Sequence, residues 1–319
     1  MNQALFQTAL IAFVAGIILG PLFINMFRRL QLGQQIREDG PRKHLKKAGT
    51  PTMGGVVFLL AIVPALILFA PAGMPLYLAL ILTLGNGLVG FIDDYLKVIR
   101  KQSLGLKARS KLLGQLLTVV VFYLLWQGLG ESTALSVPFT DFYVELGAWY
   151  LPFLIFFVIG TTNAVNLTDG IDGLASGTAI LALFSYTILA TVMGLAGLAQ
   201  FGAAMIGAVF AFLIYNFHPA RVFMGDVGSL ALGGALAAMA ILTKAELYLV
   251  IIGGVFVIET LSVIIQVIVF KLTGNRVFRM SPLHHHYELG GHSEWRVVTG
   301  FWGLGFLFAV IGLLQLGAL

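Results

Sequence analysis

Ten predominantly apolar stretches follow one another along the chain, at residues 4–27, 55–70, 75–92, 112–129, 149–165, 175–193, 198–215, 229–242, 247–270 and 297–316. An α-helix needs about 20 such residues to cross the hydrocarbon core of a bilayer. The pattern therefore predicts an all-α polytopic membrane protein with ten transmembrane helices. One connection has a different period. Between the fourth and fifth stretches, Leu135, Val137 and Phe139, then Phe142, Val144 and Leu146, alternate about Thr140 and Asp141, which predicts a small β-hairpin on the membrane surface. The first stretch has no basic residue before it and Arg28 and Arg29 after it, the reverse of a secretory leader, so it is read as a span.

Charge orients this pattern. Of the 19 lysines and arginines, 18 fall in odd-numbered connections and only Lys244 in an even one. Basic connections stay in the cytoplasm, so the hairpin and both termini are expected outside. The same placement accounts for the net charge of +5 as topology, and no nucleic-acid partner is expected. With 59% hydrophobic and 10% charged residues, against about 25% charged in soluble domains, a soluble fold is excluded. The chain has no cysteine, which removes disulfides, thiolate nucleophiles and Cys-ligated metals. No linker or low-complexity tract divides it, so residues 1–319 read as a single integral membrane domain.

Polar residues cluster at the cytoplasmic ends. Residues 46–55 (KKAGTPTMGG) combine Lys46 and Lys47 with Thr52 and small residues that let backbone amides approach a phosphate. Asp93 and Asp94 end the third stretch, with Lys97 one turn on and Lys107, Arg109 and Lys111 beyond. On a continuing helix Asp93 and Lys97 pair at i,i+4, which leaves Asp94 without an assigned partner. Adjacent carboxylates favour a shared cation. In the fifth connection Asn163, Asn166, Asp169 and Asp172 lie within ten residues that hold no basic residue. Oxygen ligands of this kind suit Mg²⁺, which binds through one or two carboxylates plus substrate phosphates.

Two further clusters follow. Residues 216–229 (NFHPARVFMGDVGS) hold Asn216, Phe223 and Asp226, and Asp226 taken alone reads as an N-cap of the eighth span. Residues 282–288 (PLHHHYE) hold His284, His285 and His286, which cannot all face one metal in regular structure and suit an anionic substrate better. Glu259 sits inside the ninth stretch, with Gln266 seven residues on and on the same face. Gly16 and Gly20 read as helix packing, whereas Gly85, Gly87 and Gly90 match G-x-G-x-x-G inside a span, without the preceding strand that a dinucleotide fingerprint requires, and read as coincidence.

Taken together, DDYLK, NAVNLTDGIDGLA, NFHPARVFMGDVGS, PLHHHYE and KKAGTPTMGG resemble the phospho-N-acetylmuramoyl-pentapeptide-transferase family of the polyprenyl-phosphate N-acetylhexosamine-1-phosphate transferase superfamily. The resemblance covers essentially the whole chain. It implies a bacterial cytoplasmic-membrane enzyme that moves phospho-MurNAc-pentapeptide from its UDP carrier to undecaprenyl phosphate, giving lipid I and UMP with Mg²⁺. It also implies a homodimer. Carried over by position, Asp226 ligates magnesium, and Asp93, Asp94 and Asp226 are catalytic. The favoured reading has Asp93 as base or orienting group for the lipid phosphate in a direct attack, the alternative has Asp94 form a phospho-aspartate, and the sequence does not separate the two. Thr52, Lys97, Lys111, Asn163, Asn166, Asp169, Asp172, Asn216, Phe223, Gln266, His284, His285 and His286 bind substrate, as does one or other of Lys46 and Lys47. The rival readings are a GlcNAc-1-phosphate transferase of the same superfamily and a secondary transporter, which would place its carboxylates near the membrane midplane in broken helices.

Overall fold

The computed structural model describes residues 3–30, 49–98, 100 and 105–317. Lys46 and Lys47 lie outside them. The chain forms α1 (Gln3–Arg29), α2 (Gly55–Phe69), α3 (Met74–Val98), α4 (Ala108–Trp126), α5 (Tyr150–Thr168), α6 (Leu174–Val192), α7 (Ala196–Asn216), α8 (Gly225–Leu242), α9 (Leu249–Ile252), α10 (Gly254–Thr273), α11 (Leu283–Leu289) and α12 (Glu294–Gln315). Among the described residues, nine helices are long and apolar enough to cross a membrane. The second predicted span is α2, whose 15 residues reach about 22 Å at 1.5 Å per residue. The ninth predicted span is broken: α9 ends at Gly253 and α10 restarts at Gly254. Two consecutive glycines weaken the helix there. The histidine cluster, with no helical period of its own, forms the short helix α11.

The centre of the bundle is α8, with 83% of its apolar window buried. Nearly every residue from Val227 to Ile241 is buried, as expected of a helix that is apolar all round. It lies against α3, and glycines make the approach possible. A Cβ on Gly90 would stand 2.1 Å from the carbonyl oxygen of Asp226, one on Gly87 3.2 Å from Cβ of Ala231, and one on Gly85 2.5 Å from the Thr118 side chain of α4. The G-x-G-x-x-G is thus a packing face. Gly16 and Gly20 do the same for α1, against Ala211 and Tyr215 of α7.

The predicted hairpin is present. β1 (Ala134–Ser136) and β2 (Tyr143–Glu145) pair antiparallel with Leu135 opposite Val144. Lys244, the exception in the charge pattern, is held by this end of the molecule. Its Nζ donates to the Ser132 carbonyl at 2.8 Å and to Tyr150 Oη at 3.2 Å, and lies 4.8 Å from the Tyr150 ring centre. It also pairs at 3.3 Å with Glu246, which accepts from Tyr150 Oη at 2.6 Å. Burial pushes the Glu246 carboxyl above the usual carboxylate range, and Lys244 opposes that shift. A cation at this position is needed by the buried carboxylate next to it.

The close approach of α3 and α8 makes a direct prediction. Gly90→Ala is expected to lower the thermal midpoint of the detergent-purified protein through overpacking of about 1–3 kcal/mol. Gly300→Ala, where a Cβ meets nothing within 4 Å, is expected to leave it unchanged, and equal midpoints for both variants would contradict this packing.

Candidate active site

At one end of the α3–α8 contact the chain assembles its acidic residues. Asp93 and Asp94 lie in the last turns of α3 and Asp226 in the first turn of α8. One carboxylate oxygen from each lies within 4.8 Å of the others. Asp226 Oδ2 accepts from Lys97 Nζ at 3.0 Å and Lys111 Nζ at 2.8 Å, and its Oδ1 accepts from Asn166 Nδ2 at 3.0 Å. Lys97 also pairs with Asp93, one helical turn away as the spacing predicts. Asp93 Oδ1 accepts from the Leu106 N–H at 2.7 Å, which ties the start of α4, and so Lys111, to α3.

Asp226 does not cap α8. The cap is Met224 with no side-chain bond, and the free N–H of Val227 donates instead to Asp94 Oδ2 at 3.0 Å. An acidic residue from a neighbouring helix thus satisfies an N–H that the helix itself leaves unpaired. This is the partner of Asp94 that local spacing did not show. Gly225, at φ +73°, makes the turn possible, since a Cβ there would stand 2.5 Å from Asp94 Oδ2. Thr52 is buried beside it, placed by strand-like pairing of the segment before α2 with the segment before α8: Phe223 N–H donates to the Pro51 carbonyl at 2.8 Å, and Gly54 N–H to the Phe223 carbonyl at 2.9 Å.

The other predicted residues divide by distance from this cluster. Asn163, one turn deeper than Asn166 on α5, donates to Gln115 at 3.3 Å. Asp172 accepts from Ala220 N–H at 3.1 Å and lies 3.0 Å from His218 Nδ1, while its own N–H donates to Glu294 at 2.8 Å. Asn216 and Gln266 have scaffolding tasks. Asn216 Oδ1 accepts from Gly173 N–H and Ser176 Oγ, and Gln266 Oε1 accepts from the N–H groups of Val277 and Phe278. The three histidines face three ways, as their succession in sequence requires. His284 meets Glu259, His285 meets Glu288, and His286 Nδ1 accepts from Arg279 N–H.

Gln115, His218, Ser229 and Glu294 join these networks without having been singled out. Ser229 and His218 lie inside a recognised motif. Glu294 heads α12, where only its position beside the Ser293 cap marks it, and nothing local shows its contact 122 residues away.

The donor set at Asp93, Asp94 and Asp226 is oxygen only, the donor chemistry that Mg²⁺ takes, and these residues could hold such an ion. Asp172, His218 and Glu294 form a second group within 4.8 Å, with mixed donors. Asp169 stands between the two groups at the end of α5, half-buried. Its carboxyl is raised well above the usual range by desolvation, then by the charges of Asp226, Asp94 and Asp172.

The sign of that shift sets a pH dependence. Unfolded aspartate titrates near about 3.9, so between there and the raised value the folded chain holds the proton that the unfolded chain has lost. The contribution of Asp169 to the stability of the metal-free protein is then greatest below that window and falls as pH rises through it. Melting midpoints of Asp169→Asn and the parent should diverge as pH rises, the variant gaining relative to the parent. Parallel curves would contradict the shift.

Comparison with known proteins shows the family to which the chain belongs. A model of glycosyl transferase family 4 matches residues 76–244, which contain all three clustered aspartates, and the phospho-N-acetylmuramoyl-pentapeptide-transferase signature 1 matches residues 47–59. The phospho-N-acetylmuramoyl-pentapeptide-transferase of Geobacillus sp. (strain WCH70) is 56% identical over 317 residues, 98% of each chain. The proteins of that name from Anoxybacillus flavithermus (strain DSM 21510 / WK1) and Bacillus cereus (strain AH187) are 56% and 55% identical, again over 98% of each chain. With identity of this order along its full length, the chain belongs to the phospho-N-acetylmuramoyl-pentapeptide-transferase family.

Proposed function

We propose that the chain transfers phospho-MurNAc-pentapeptide from UDP-MurNAc-pentapeptide to undecaprenyl phosphate, forming lipid I and UMP. The observation that carries this reading is the cluster of Asp93, Asp94 and Asp226 with Lys97 and Lys111 at the end of apolar helices. It offers a charged site to a soluble nucleotide and a hydrocarbon-facing exterior to a lipid. In topology, α2 also spans and brings the count to ten, both termini and the hairpin are outside, and the cluster faces the cytoplasm of a bacterial plasma membrane. That orientation rests on the distribution of basic residues. Residues 1–319 act as a single domain, and the family resemblance favours a homodimer.

In the reaction, a phosphate oxygen of the lipid attacks the sugar-linked phosphorus. The bond from that phosphorus to the bridging oxygen breaks, and the oxygen leaves on UMP. Such transfers demand positioning and charge neutralisation more than covalent chemistry. Asp226, with Asp94 beside it, would hold a Mg²⁺ ion that would supply part of that neutralisation. Lys97 and Lys111 stand ready for phosphate oxygens, and Asn166 fixes the rotamer of Asp226 through Nδ2. Asp93 orients the lipid phosphate. Both of its oxygens are engaged, by Leu106 N–H and by Lys97, which favours an orienting role. A phosphate monoester whose second pKa is about 6 needs no strong base.

Thr52, Asn163, Asp169, Asp172, Phe223, His285 and His286, with Lys46 or Lys47, form the wider binding surface for nucleotide and sugar. Asn216 and Gln266 hold the loops that carry it. The experiment is UMP release by purified protein given both substrates and Mg²⁺. Asp226→Asn should keep the melting midpoint of a folded protein and lose at least about 100-fold in turnover. A folded Asp226→Asn with parental turnover would remove Asp226 from the mechanism.

A further inference from the structure

Glu259 lies inside α10, where a carboxylate is expensive and marks a task. Neither Glu259 nor His284 has exposed surface. His284 Nδ1 lies 3.2 Å from Glu259 Oε2, and its backbone N–H points at the same oxygen from 3.5 Å. Two turns along the same face of α10, Gln266 accepts from the N–H groups of Val277 and Phe278 at 3.0 and 2.9 Å. One polar stripe therefore holds the segment between α10 and α11 at two points. On its far edge the His284 ring fills the space a side chain would take at Gly170, since a Cβ there would lie 2.2 Å from Nε2. Gly170 follows Asp169, and the same turn leads into Asp172. Among the described residues, His284 Nε2 and Glu259 Oε1 are both buried without a hydrogen-bond partner, a cost that an apolar pair at these positions would avoid.

We propose that Glu259 is a positioning residue. It holds the Nδ1–H of His284, fixes that ring against Gly170, and so sets the Asp169–Asp172 turn for the nucleotide of the donor substrate. A carboxylate on one ring nitrogen fixes both tautomer and orientation of an imidazole, which apolar packing does not. This role rests on the transferase activity proposed above.

The test uses the full chain in detergent, with melting midpoints, calorimetric binding of UMP, and UMP release at varied donor concentration. Glu259→Gln keeps an acceptor oxygen at the same reach and should stay near parental in every readout. Glu259→Leu should weaken UMP binding and raise the donor KM by about tenfold, as loss of an orienting partner does, with a smaller change in kcat. Effects of neighbours acting through one another do not add, so Glu259→Leu combined with His284→Ala should bind UMP no more weakly than His284→Ala alone. Folded Glu259→Leu with parental affinity and KM, or losses that multiply in the double variant, would overturn the role. Should Glu259→Leu fail to fold, Glu259→Asp withdraws the oxygen by one methylene and should raise KM likewise; parental KM there also overturns it. Parent protein that neither binds nor releases UMP refutes the transferase reading and the positioning role together, whereas active parent with insensitive Glu259 variants refutes only the latter.

Discussion

At Gly90 the backbones of α3 and α8 meet with no room for a side chain, a Cβ there standing 2.1 Å from the Asp226 carbonyl. Everything at the candidate active site follows from that approach. It sets the first turn of α8 beside the last turns of α3, so that Asp94 takes the Val227 N–H and Asp226 comes within reach of both Lys97 and Lys111. Interior helices pack this closely where small residues line both faces, and α8 is rich in alanine and glycine along its buried length. A bulkier α8 would hold the carboxylates apart.

Among the described residues, Asp93, Asp94 and Asp226 face two lysines, Lys97 and Lys111, and Asp94 has a backbone N–H where the other two have a lysine. Carboxylates this close repel one another unless a cation is shared. A site built this way could hold a divalent ion at the acids and a phosphate at the lysines. Around it, a second set of polar residues bonds to backbone: Asn216 to Gly173, Gln266 to Val277 and Phe278, Glu294 to Asp172. These hold the connections against the helices, and the shape of the binding surface depends on them.

Much of this was legible in the sequence because hydropathy and local spacing carry it. The helices fall where the apolar stretches are, the hairpin where the period changes to two, and the Asp93–Lys97 pair where i,i+4 geometry puts it. The break at Gly253 was hidden because the flanking residues are as apolar as any span. Asp94 was left without a partner because its donor, Val227, is 133 residues away. The resemblance implies a substrate contact for Gln266, and its bonds to the Val277 and Phe278 N–H groups do not show in local spacing. Lys244 departed from the charge pattern because what places it is a buried carboxylate and two aromatic rings, Tyr150 and Trp126, the latter 5.5 Å away.

The central claim is that this acidic and basic cluster performs phosphoryl transfer from a muramoyl nucleotide to a lipid phosphate. The most direct measurement is UMP release by folded, detergent-purified protein with undecaprenyl phosphate and Mg²⁺, comparing UDP-MurNAc-pentapeptide with UDP-GlcNAc as donor. Release with the muramoyl donor, and none when the lipid phosphate is omitted, is the predicted result. Release with UDP-GlcNAc alone, or none with either donor, would contradict it.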